Sequence, residues 1–260
     1  MSVEPTDRGL LLADGLFETV LWGGGLIDFA AHARRMQAGC DTLGLPAPQT
    51  PALEAAALAG VRAAGLDSRR AAVRLTWTAG PGGRGLDRPQ TLCPTLFASA
   101  APSPAPTGPA RLITSEIARN DRSPASRLKT LAYLDNVLAR RAARRAGADA
   151  ALMLNTAGEI ACADAANLFW FEGEVLVTPA LNCGVLEGIV RAGVIDRARA
   201  AGLEVRETRV GRAALDGPAG LFLTNSLIGL RRVSALDGRA LPIDPRVTML
   251  SPEETAPWPT

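Results

Sequence analysis

The stretch Ser126-Arg-Leu-Lys-Thr-Leu-Ala-Tyr-Leu-Asp-Asn-Val-Leu-Ala-Arg-Arg141 contains the only lysine and the only tyrosine of this 260-residue chain. Lysine and arginine together number 28, so every cationic side chain other than Lys129 is an arginine. A guanidinium stays protonated in proteins, whereas a desolvated ε-amine can act as a nucleophile or form a Schiff base. Lys129 is therefore the first candidate for chemistry, and an ordinary surface lysine is the alternative.

Length and composition indicate a globular protein. Hydrophobic residues make up 47% of the chain and charged residues 21%. A chain of this length is near the size at which one core divides into two, so we expect two modest domains. The apolar runs are too short to cross a membrane, and residues 1–8 lack the basic end and apolar run of a signal peptide. We expect a cytoplasmic protein that binds no membrane.

Several functional classes are disfavoured. The four cysteines, Cys40, Cys93, Cys162 and Cys183, are far apart and form no Cys-x-x-Cys pair, so neither a disulfide framework nor a metal site is indicated. A net charge of +2 gives no electrostatic reason to expect nucleic acid as a partner. A hydrolase of the Ser-His-Asp or Cys-His type would have to use His32, for which a packed or capping role is the simpler interpretation.

The N-terminal part of the chain alternates between extended and helical patterns. Residues 9–12 and 16–22 are predicted to be strands of a hairpin that turns back at 26–29, followed by helices at 30–43 and 51–64 and strands at 70–78 and 95–98. The glycine-rich residues 79–85 lack the Gly-Lys-Ser/Thr ending of a Walker loop. Four prolines in residues 101–109 indicate a linker, which predicts domains at 1–105 and 110–260.

The remaining elements alternate in the same way. Strands are predicted at 111–117, 150–154, 159–171, 175–177, 204–210 and 221–223, helices at 132–145 and 189–201, and a helical turn at 212–215. Leu131, Leu134, Val137 and Leu138 describe one face of the first of these helices. If that helix already turns at Lys129, Tyr133 is four residues further on and reaches the same pocket; a core tyrosine is the alternative.

Two further segments could bind an anion. Gly184-Val-Leu-Glu-Gly-Ile-Val-Arg191 opens a helix whose free N–H groups and dipole favour negative charge, and Gly188 permits close backbone approach. Leu223-Thr-Asn-Ser-Leu-Ile-Gly229 places hydroxyl and amide groups after a strand. Either segment alone could be an ordinary cap or turn. Together with a Schiff-base lysine, two sites suited to a phosphate point to pyridoxal 5'-phosphate, whose ring acts as an electron sink.

With these residues in view, the sequence resembles the fold-type IV pyridoxal-phosphate enzymes of the class IV aminotransferase family. This family includes branched-chain and D-amino-acid transaminases and 4-amino-4-deoxychorismate lyase. The motifs that carry the resemblance follow the order and approximate spacing of the family over nearly the whole chain: Asp14-Gly-Leu-Phe-Glu-Thr19, His32-Ala-Arg-Arg-Met36, Leu128-Lys-Thr-Leu-Ala-Tyr-Leu-Asp-Asn-Val-Leu138, Asn167-Leu-Phe169, Thr178-Pro-Ala-Leu181, Gly188-Ile-Val-Arg191 and Thr224-Asn-Ser-Leu227.

The resemblance implies a mixed α+β fold with a smaller N-terminal α/β domain and a larger C-terminal domain that has a barrel-like sheet. It implies that Lys129 holds pyridoxal phosphate as a Schiff base and acts as general base and acid. It also implies that Arg35, Ile189, Val190 and Ser226 surround the phosphate, Ile189 and Val190 through backbone N–H groups. The expected partners are a small amino substrate and a second copy of the chain in a homodimer.

The sequence departs from the family at the position that normally carries a glutamate against the pyridine nitrogen. Cys162 stands there, and a neutral thiol would keep the ring nitrogen protonated poorly. If strand alternation holds, Asp164 lies on the same face and could substitute, whereas Glu159 points the other way. Three other departures affect the phosphate site and the substrate: Val190 for a threonine, Ala79 for an arginine and Ala132 for an asparagine.

Within the family, Ala165-Ala-Asn-Leu-Phe-Trp170 and Thr224-Asn-Ser-Leu-Ile-Gly229 are closer to the lyase branch. We therefore predict a 4-amino-4-deoxychorismate lyase, which eliminates pyruvate to give 4-aminobenzoate. A D-amino-acid or branched-chain amino-acid transaminase is the first alternative. A non-catalytic relative that has lost the pyridine-nitrogen acid is the second.

Overall fold

The computed structural model describes residues 3–217 and 219–251. Contacts between Cα atoms divide the chain into two compact units. Among the described residues, the first unit contains residues 3–104 together with Leu128–Ala132, and the second contains Ala105–Arg127 and residues 133–217 and 219–251. Lys129 therefore belongs to the first unit, although it follows the proline-rich linker in sequence.

The first unit is built on a small antiparallel sheet. Its helices and strands are α1 (Arg8–Leu12), β1 (Gly15–Trp22), α2 (Phe29–Leu43), α3 (Thr50–Ala63), β2 (Ala71–Thr78) and β3 (Thr95–Pro102). The strand order is β1-β2-β3. In α3 the buried residues Leu53, Ala57 and Val61 recur every fourth position, which gives the helix one apolar face.

The predicted hairpin at the N-terminus is wrong. Residues 9–12 belong to α1, because Asp7 caps a helix there: its carboxylate accepts the Gly9 N–H at 2.8 Å and the Thr78 hydroxyl at 2.8 Å. Three consecutive leucines follow without the alternation of a strand. Strand β1 pairs along its length with β2, and the 26–29 segment contributes a single bridge to Trp22.

The second unit contains one large sheet with helices against it. Its elements are β4 (Ala110–Thr114), α4 (Leu134–Arg145), β5 (Ala150–Leu154), β6 (Ile160–Ala163), β7 (Asn167–Glu172), β8 (Val175–Pro179), α5 (Ile189–Ala200), β9 (Val205–Thr208), β10 (Ala219–Asn225), β11 (Gly229–Leu236), β12 (Arg239–Ala240) and α6 (Arg246–Met249). The order is β6-β5-β4-β11-β10-β7-β8-β9, with β12 beside β11. The sheet curls so that β6 also contacts β7 and β8, which gives the predicted barrel-like form.

Strand β7 shows why the sheet needs helices outside it. Leu168 and Trp170 belong to the apolar cluster on the inner side of the curl, whereas Phe169 and Phe171 pack with Val194 on α5. A strand that is buried on both faces reads as a continuous apolar run. For that reason the sequence could locate the strand but could not assign its two faces.

Two other predicted elements differ from the structure, and one strand was missed. The predicted strand at 159–171 is two strands, because a turn interrupts it at residues 164–165. Helix α4 begins at Leu134, and its predicted apolar face is wrong: Leu134, Val137 and Leu138 are exposed, whereas Ala139 and Ala143 are buried. Strand β11 was not predicted. Within the described residues, no helix is long and apolar enough to span a membrane.

The stacked rings of Phe169 and Phe222 provide a test of the second unit's core. Their centroids are 5.1 Å apart and both side chains are fully buried. We expect Phe169→Ala to lower the free energy of unfolding by about 3–5 kcal/mol, because the substitution leaves a cavity between β7 and α5. The matched control is Met249→Ala, at an exposed position, for which a change below about 0.5 kcal/mol is expected. Equal losses in denaturant titrations of the two variants would contradict this assignment of the core.

Candidate active site

Lys129 lies beside β1 in the first unit. The Phe17 N–H donates to the Lys129 carbonyl at 2.9 Å, and the Leu131 N–H donates to the Gly15 carbonyl at 3.1 Å. The Lys129 ammonium nitrogen lies 4.2 Å from the centroid of the Phe17 ring. Backbone pairing and a cation–π contact thus hold the lysine at this edge of β1.

A second cation shares the same ring. The guanidinium carbon of Arg74 lies 3.7 Å from the Phe17 centroid, and Arg74 is exposed. In the β1–β2 register Arg74 opposes Thr19, so it is the diagonal neighbour of Phe17. The sequence analysis missed Arg74, because its relation to Lys129 depends on this register. The aromatic ring therefore carries an amine and a guanidinium together.

On α2, Arg35 is bound to a buried carboxylate. Glu18 accepts Arg35 Nε at 2.8 Å and Nη2 at 2.6 Å, and His32 Nδ1 lies 2.7 Å from the same carboxylate. Burial alone would raise the pKa of Glu18, but the hydrogen bonds and charges of Arg35 and His32 lower the pKa to about 2. Glu18 is therefore ionised at neutral pH. His32 is a packed residue, as its sequence context predicted.

In the second unit, the start of α5 requires a glycine. Gly188 is the N-cap, and a Cβ at this position would lie 2.0 Å from Asn167 Oδ1. Asn167 in turn donates from Nδ2 to the Leu186 carbonyl at 2.9 Å. Ile189 and Val190 follow in the first turn, where backbone N–H groups have no partner within the helix.

The turn after β10 lies next to Asn167 in the same unit. Asn225 Oδ1 accepts the N–H groups of Leu227 and Ile228, each at 2.9 Å, and this fixes the turn around Ser226. Thr224 is paired with Asn167 in the β10–β7 ladder. The Thr224 hydroxyl is fully buried and has no hydrogen-bond partner in the part of the chain that the structure describes.

These two segments fit a phosphate group. Strands β7 and β10 place the start of α5 and the turn at Ser226 close to the same residue, Asn167. The N–H groups at the helix start are donors, the missing Cβ of Gly188 lets the Asn167 side chain pack against the helix start, and the orphaned Thr224 hydroxyl adds a polar group. Between residues 3 and 251, leaving out 218, no cluster of His, Cys, Asp or Glu side chains is arranged to hold a metal ion.

Cys162 is buried in an apolar cluster with Ala139, Ala143, Met153 and Val185. Burial raises the pKa of its thiol, although the charge of Arg119 opposes the shift. The side chain of Cys162 is therefore a neutral thiol at physiological pH. It cannot replace a carboxylate electrostatically.

Asp164 does not share a strand face with Cys162, because β6 ends at Ala163 and Asp164 lies in the following turn. Its carboxylate accepts both Nε and Nη2 of Arg140, the latter at 2.8 Å. Asn136 Nδ2 also donates to the Asp164 carbonyl at 2.7 Å. Burial raises the pKa of Asp164, against the effect of Arg140. The prediction that Asp164 and Cys162 share a strand face is therefore wrong. The Asp164 carboxylate is instead bound to Arg140 on α4.

Tyr133 is the N-cap of α4 and belongs to the second unit. The helix begins at Leu134, after both Lys129 and Tyr133, so helical spacing does not pair them.

Arg119 is another residue that the sequence analysis missed. Its buried guanidinium donates to the carbonyls of Gly184 and Ser126, and so ties the segment before Lys129 to the segment before α5.

Comparisons with known proteins identify the family of this chain. The sequence profile of the family described as amino-transferase class IV matches residues 15–236. A Methanocaldococcus jannaschii protein, provisionally named a branched-chain-amino-acid aminotransferase, is 33% identical over 242 residues, which are 90% of this chain and 83% of that protein. The aminodeoxychorismate lyase of Bacillus subtilis is 31% identical over 61% of this chain and 55% of its own length.

Solved structures of other proteins are similar to this chain over nearly its whole length. A Legionella pneumophila protein, provisionally named a 4-amino-4-deoxychorismate lyase, superposes with a TM-score of 0.89 at 29% identity, over 96% of this chain and 93% of that one. A pyridoxal-phosphate-bound structure of a hypothetical aminotransferase from Mycobacterium tuberculosis has a TM-score of 0.84 at 25% identity, over 96% and 92%. The Escherichia coli branched-chain amino acid aminotransferase, at 22% identity and a TM-score of 0.87, shares the fold.

These matches confirm the predicted resemblance, the fold class, the enzyme class and the cofactor. The family profile covers most of the chain, and relatives with both transaminase and lyase names align with it. This chain belongs to the class IV aminotransferase family, whose members are enzymes that use pyridoxal phosphate.

Proposed function

We propose that this enzyme is a 4-amino-4-deoxychorismate lyase, which eliminates pyruvate from its substrate and releases 4-aminobenzoate. The observation that carries the proposal is the exposed Arg74 guanidinium over the Phe17 ring, which also holds the Lys129 amine. The substrate of this reaction is a ring that carries carboxylate groups and an amine. A guanidinium on an aromatic platform suits such a carboxylate, and the likeness to named lyases supports the choice.

Bound pyridoxal phosphate supplies an electron sink that stabilises negative charge developing on the substrate. In our proposal Lys129 carries the cofactor and then moves protons at the reacting carbon of the substrate as general base and acid. Ile189 and Val190, through their N–H groups, and Ser226, through its hydroxyl, bind the phosphate. Arg35 supplies a guanidinium for the same phosphate, and Tyr133 stays a proposed cofactor neighbour.

Cys162 is proposed to face the pyridine nitrogen, as the resemblance implies. A buried neutral thiol does not stabilise a protonated nitrogen as a carboxylate does, and Asp164 is bound to Arg140. We therefore expect a weaker electron sink than a glutamate would give. The comparisons favour an enzyme over the non-catalytic alternative.

A branched-chain or D-amino-acid transaminase is the second candidate. The observation that favours it is the alignment of the M. jannaschii protein with 90% of this chain. Assays with aminodeoxychorismate, and with D- and L-amino acids plus an oxo acid, separate the two. Transamination without formation of aminobenzoate would overturn the lyase proposal. A cytoplasmic location stays a prediction.

Covalent attachment of the cofactor gives the first test. Because Lys129 is the only lysine, we expect protein supplied with pyridoxal phosphate to absorb visible light, and Lys129→Ala to lack this absorbance. Borohydride should shift the absorbance of the wild type. The control is Arg127→Ala, two residues away and exposed, which should keep the colour. A Lys129→Ala protein that keeps a borohydride-sensitive absorbance would contradict the role of this lysine.

The proposed role of Arg74 gives a second test. We expect Arg74→Ala to lower kcat/KM for aminodeoxychorismate by about 10- to 100-fold, mainly through KM, because a hydrogen bond between charged groups contributes about 1.5–3 kcal/mol. Arg62→Ala, at an exposed arginine on α3, is the matched control and should leave kcat/KM unchanged. Equal kinetic constants for Arg74→Ala and wild type would remove Arg74 from the substrate site.

We also propose a homodimer, as the resemblance implies. On α1 the side chain of Leu10 is 64% exposed, and Leu11 and Leu12 are exposed beside it, which is unusual for a surface without a partner. We expect Leu10→Glu to shift the mass measured by light scattering from dimer to monomer. Met249→Glu, at a methionine on α6 of the second unit that is 65% exposed, should remain dimeric. A wild-type protein that is monomeric at micromolar concentration would contradict the proposal.

A further inference from the structure

The buried cluster around Cys162 lies close to the candidate phosphate site of the second unit. Cys162 packs with Cys183 and Val185, and in the β5–β6 ladder it is paired with Met153. Val185 is three residues before Gly188, the N-cap of α5. The cluster therefore borders the segment that leads to the helix start proposed to bind the phosphate.

Arg119 brings a positive charge to this cluster. Its side chain is buried, and the guanidinium donates to the carbonyls of Ser126 and Gly184, the second of which directly precedes Val185. Ile117, two residues before Arg119, packs against the cluster. Both acceptors are neutral carbonyls, so these hydrogen bonds do not balance the positive charge of Arg119.

The carboxylates around the cluster are bound to other partners. Asp164 accepts two hydrogen bonds from Arg140. Glu159, whose Oε2 lies 3.8 Å from Cys183 Sγ, accepts Arg209 Nε at 3.0 Å. Asp121 accepts the Thr156 hydroxyl at 2.6 Å. Burial raises the pKa of the Cys183 thiol to about 11, so Cys183 carries no charge at neutral pH.

The thiol of Cys162 is sensitive to two of these charges. Burial raises the pKa of the thiol, the positive charge of Arg119 opposes this rise, and the negative charge of Asp164 adds to it. Arg119 has the stronger effect of the two charges. A group that contacts Cys162 therefore meets a neutral thiol in surroundings where the nearest effective charge is positive.

We propose that this enzyme holds pyridoxal phosphate with the ring nitrogen unprotonated, and that Cys162 and Arg119 determine this state. The inference rests on the proposed function, in which Cys162 faces that nitrogen. A pyridine nitrogen is a weak base, and a nearby negative charge is what stabilises its cation. Here the thiol supplies no negative charge, and the Arg119 guanidinium repels a second positive charge.

The test observes the ring nitrogen directly. Protein is loaded with pyridoxal phosphate that carries ¹⁵N in the ring, and NMR measures the ¹⁵N chemical shift, which differs widely between a pyridine and a pyridinium. We expect the wild type to give the pyridine signal at neutral pH. Cys162→Glu adds a carboxylate and should move the signal to that of a pyridinium. Cys162→Gln, which has the same size but no charge, is the matched control and should keep the pyridine signal. If these larger side chains prevent folding, Cys162→Asp and Cys162→Asn form the same pair.

A variant of Arg119 tests the second residue. Arg119→Met removes the charge and keeps a long side chain. We expect it to raise the pH at which half of the nitrogen is protonated by about 1 unit, the lower end of the effect of a nearby charge. Arg122→Met, at an exposed arginine of the same segment, is the control and should leave this midpoint unchanged. An unchanged midpoint in folded Arg119→Met would overturn the role of Arg119. If that variant does not fold, the Cys162 pair decides the proposal.

The outcomes separate this inference from the proposed function. A wild-type protein that takes up no pyridoxal phosphate would defeat the proposed function and this inference with it. A loaded wild type with the pyridinium signal at neutral pH would overturn this inference alone, because the cofactor would still be bound. A folded and loaded Cys162→Glu protein with the pyridine signal would also overturn it, since Cys162 would then not face the nitrogen.

Discussion

The site depends on how the backbone of residues 128–132 joins β1. Two hydrogen bonds, from Phe17 to Lys129 and from Leu131 to Gly15, bring a segment that is distant in sequence to the free edge of the first sheet. Gly15 has no alternative here, because a Cβ would lie 2.5 Å from the Trp77 carbonyl on β2. Strand β1 is thus enclosed along both edges. Phe17 on β1 contacts Lys129 and Arg74, and the next residue, Glu18, contacts α2.

In the second unit, the polar groups of the candidate phosphate site lie around Asn167. Asn167 on β7 links the start of α5 with the turn after β10, through the Leu186 carbonyl and the pairing with Thr224. Nearby, the position at which the family carries a glutamate is a neutral thiol in an apolar cluster, and Asp164 is neutralised by Arg140. The electrostatic environment here is therefore less acidic than the family pattern implies. If Cys162 faces the ring nitrogen as proposed, that nitrogen has no carboxylate partner from this position.

Much of the fold could be predicted from sequence, because α2, α3 and α5 and most strands have strong periodicity and clear end signals. The failures have physical causes. Residues 9–12 were predicted to be a strand but form part of helix α1, because Asp7 caps that helix. Residues 159–171 were predicted to be one strand but form two, because a turn at residues 164–165 interrupts them. Helix α4 packs through alanines, whose short side chains permit close approach, so its larger apolar residues are left exposed.

Of the candidate site, Lys129 could be found from composition, since it is the single lysine, and Cys162 from its place in a motif. The sequence could not reveal Arg74, Arg119 or the hydrogen bonds between Arg35 and Glu18. Each of these depends on strand register or on contacts between distant segments. The strand face predicted for Asp164 was wrong, because β6 ends at Ala163.

The central claim is that Lys129 is the residue to which the cofactor is attached. Trypsin cleaves after Arg127 and Arg140, and so it releases a peptide of residues 128–140 once Lys129 is modified. We expect peptide mapping by mass spectrometry, after borohydride reduction of protein loaded with pyridoxal phosphate, to find the reduced cofactor on this peptide at Lys129. Loaded, reduced protein in which that peptide carries no cofactor, or is cleaved at an unmodified Lys129, would contradict the account.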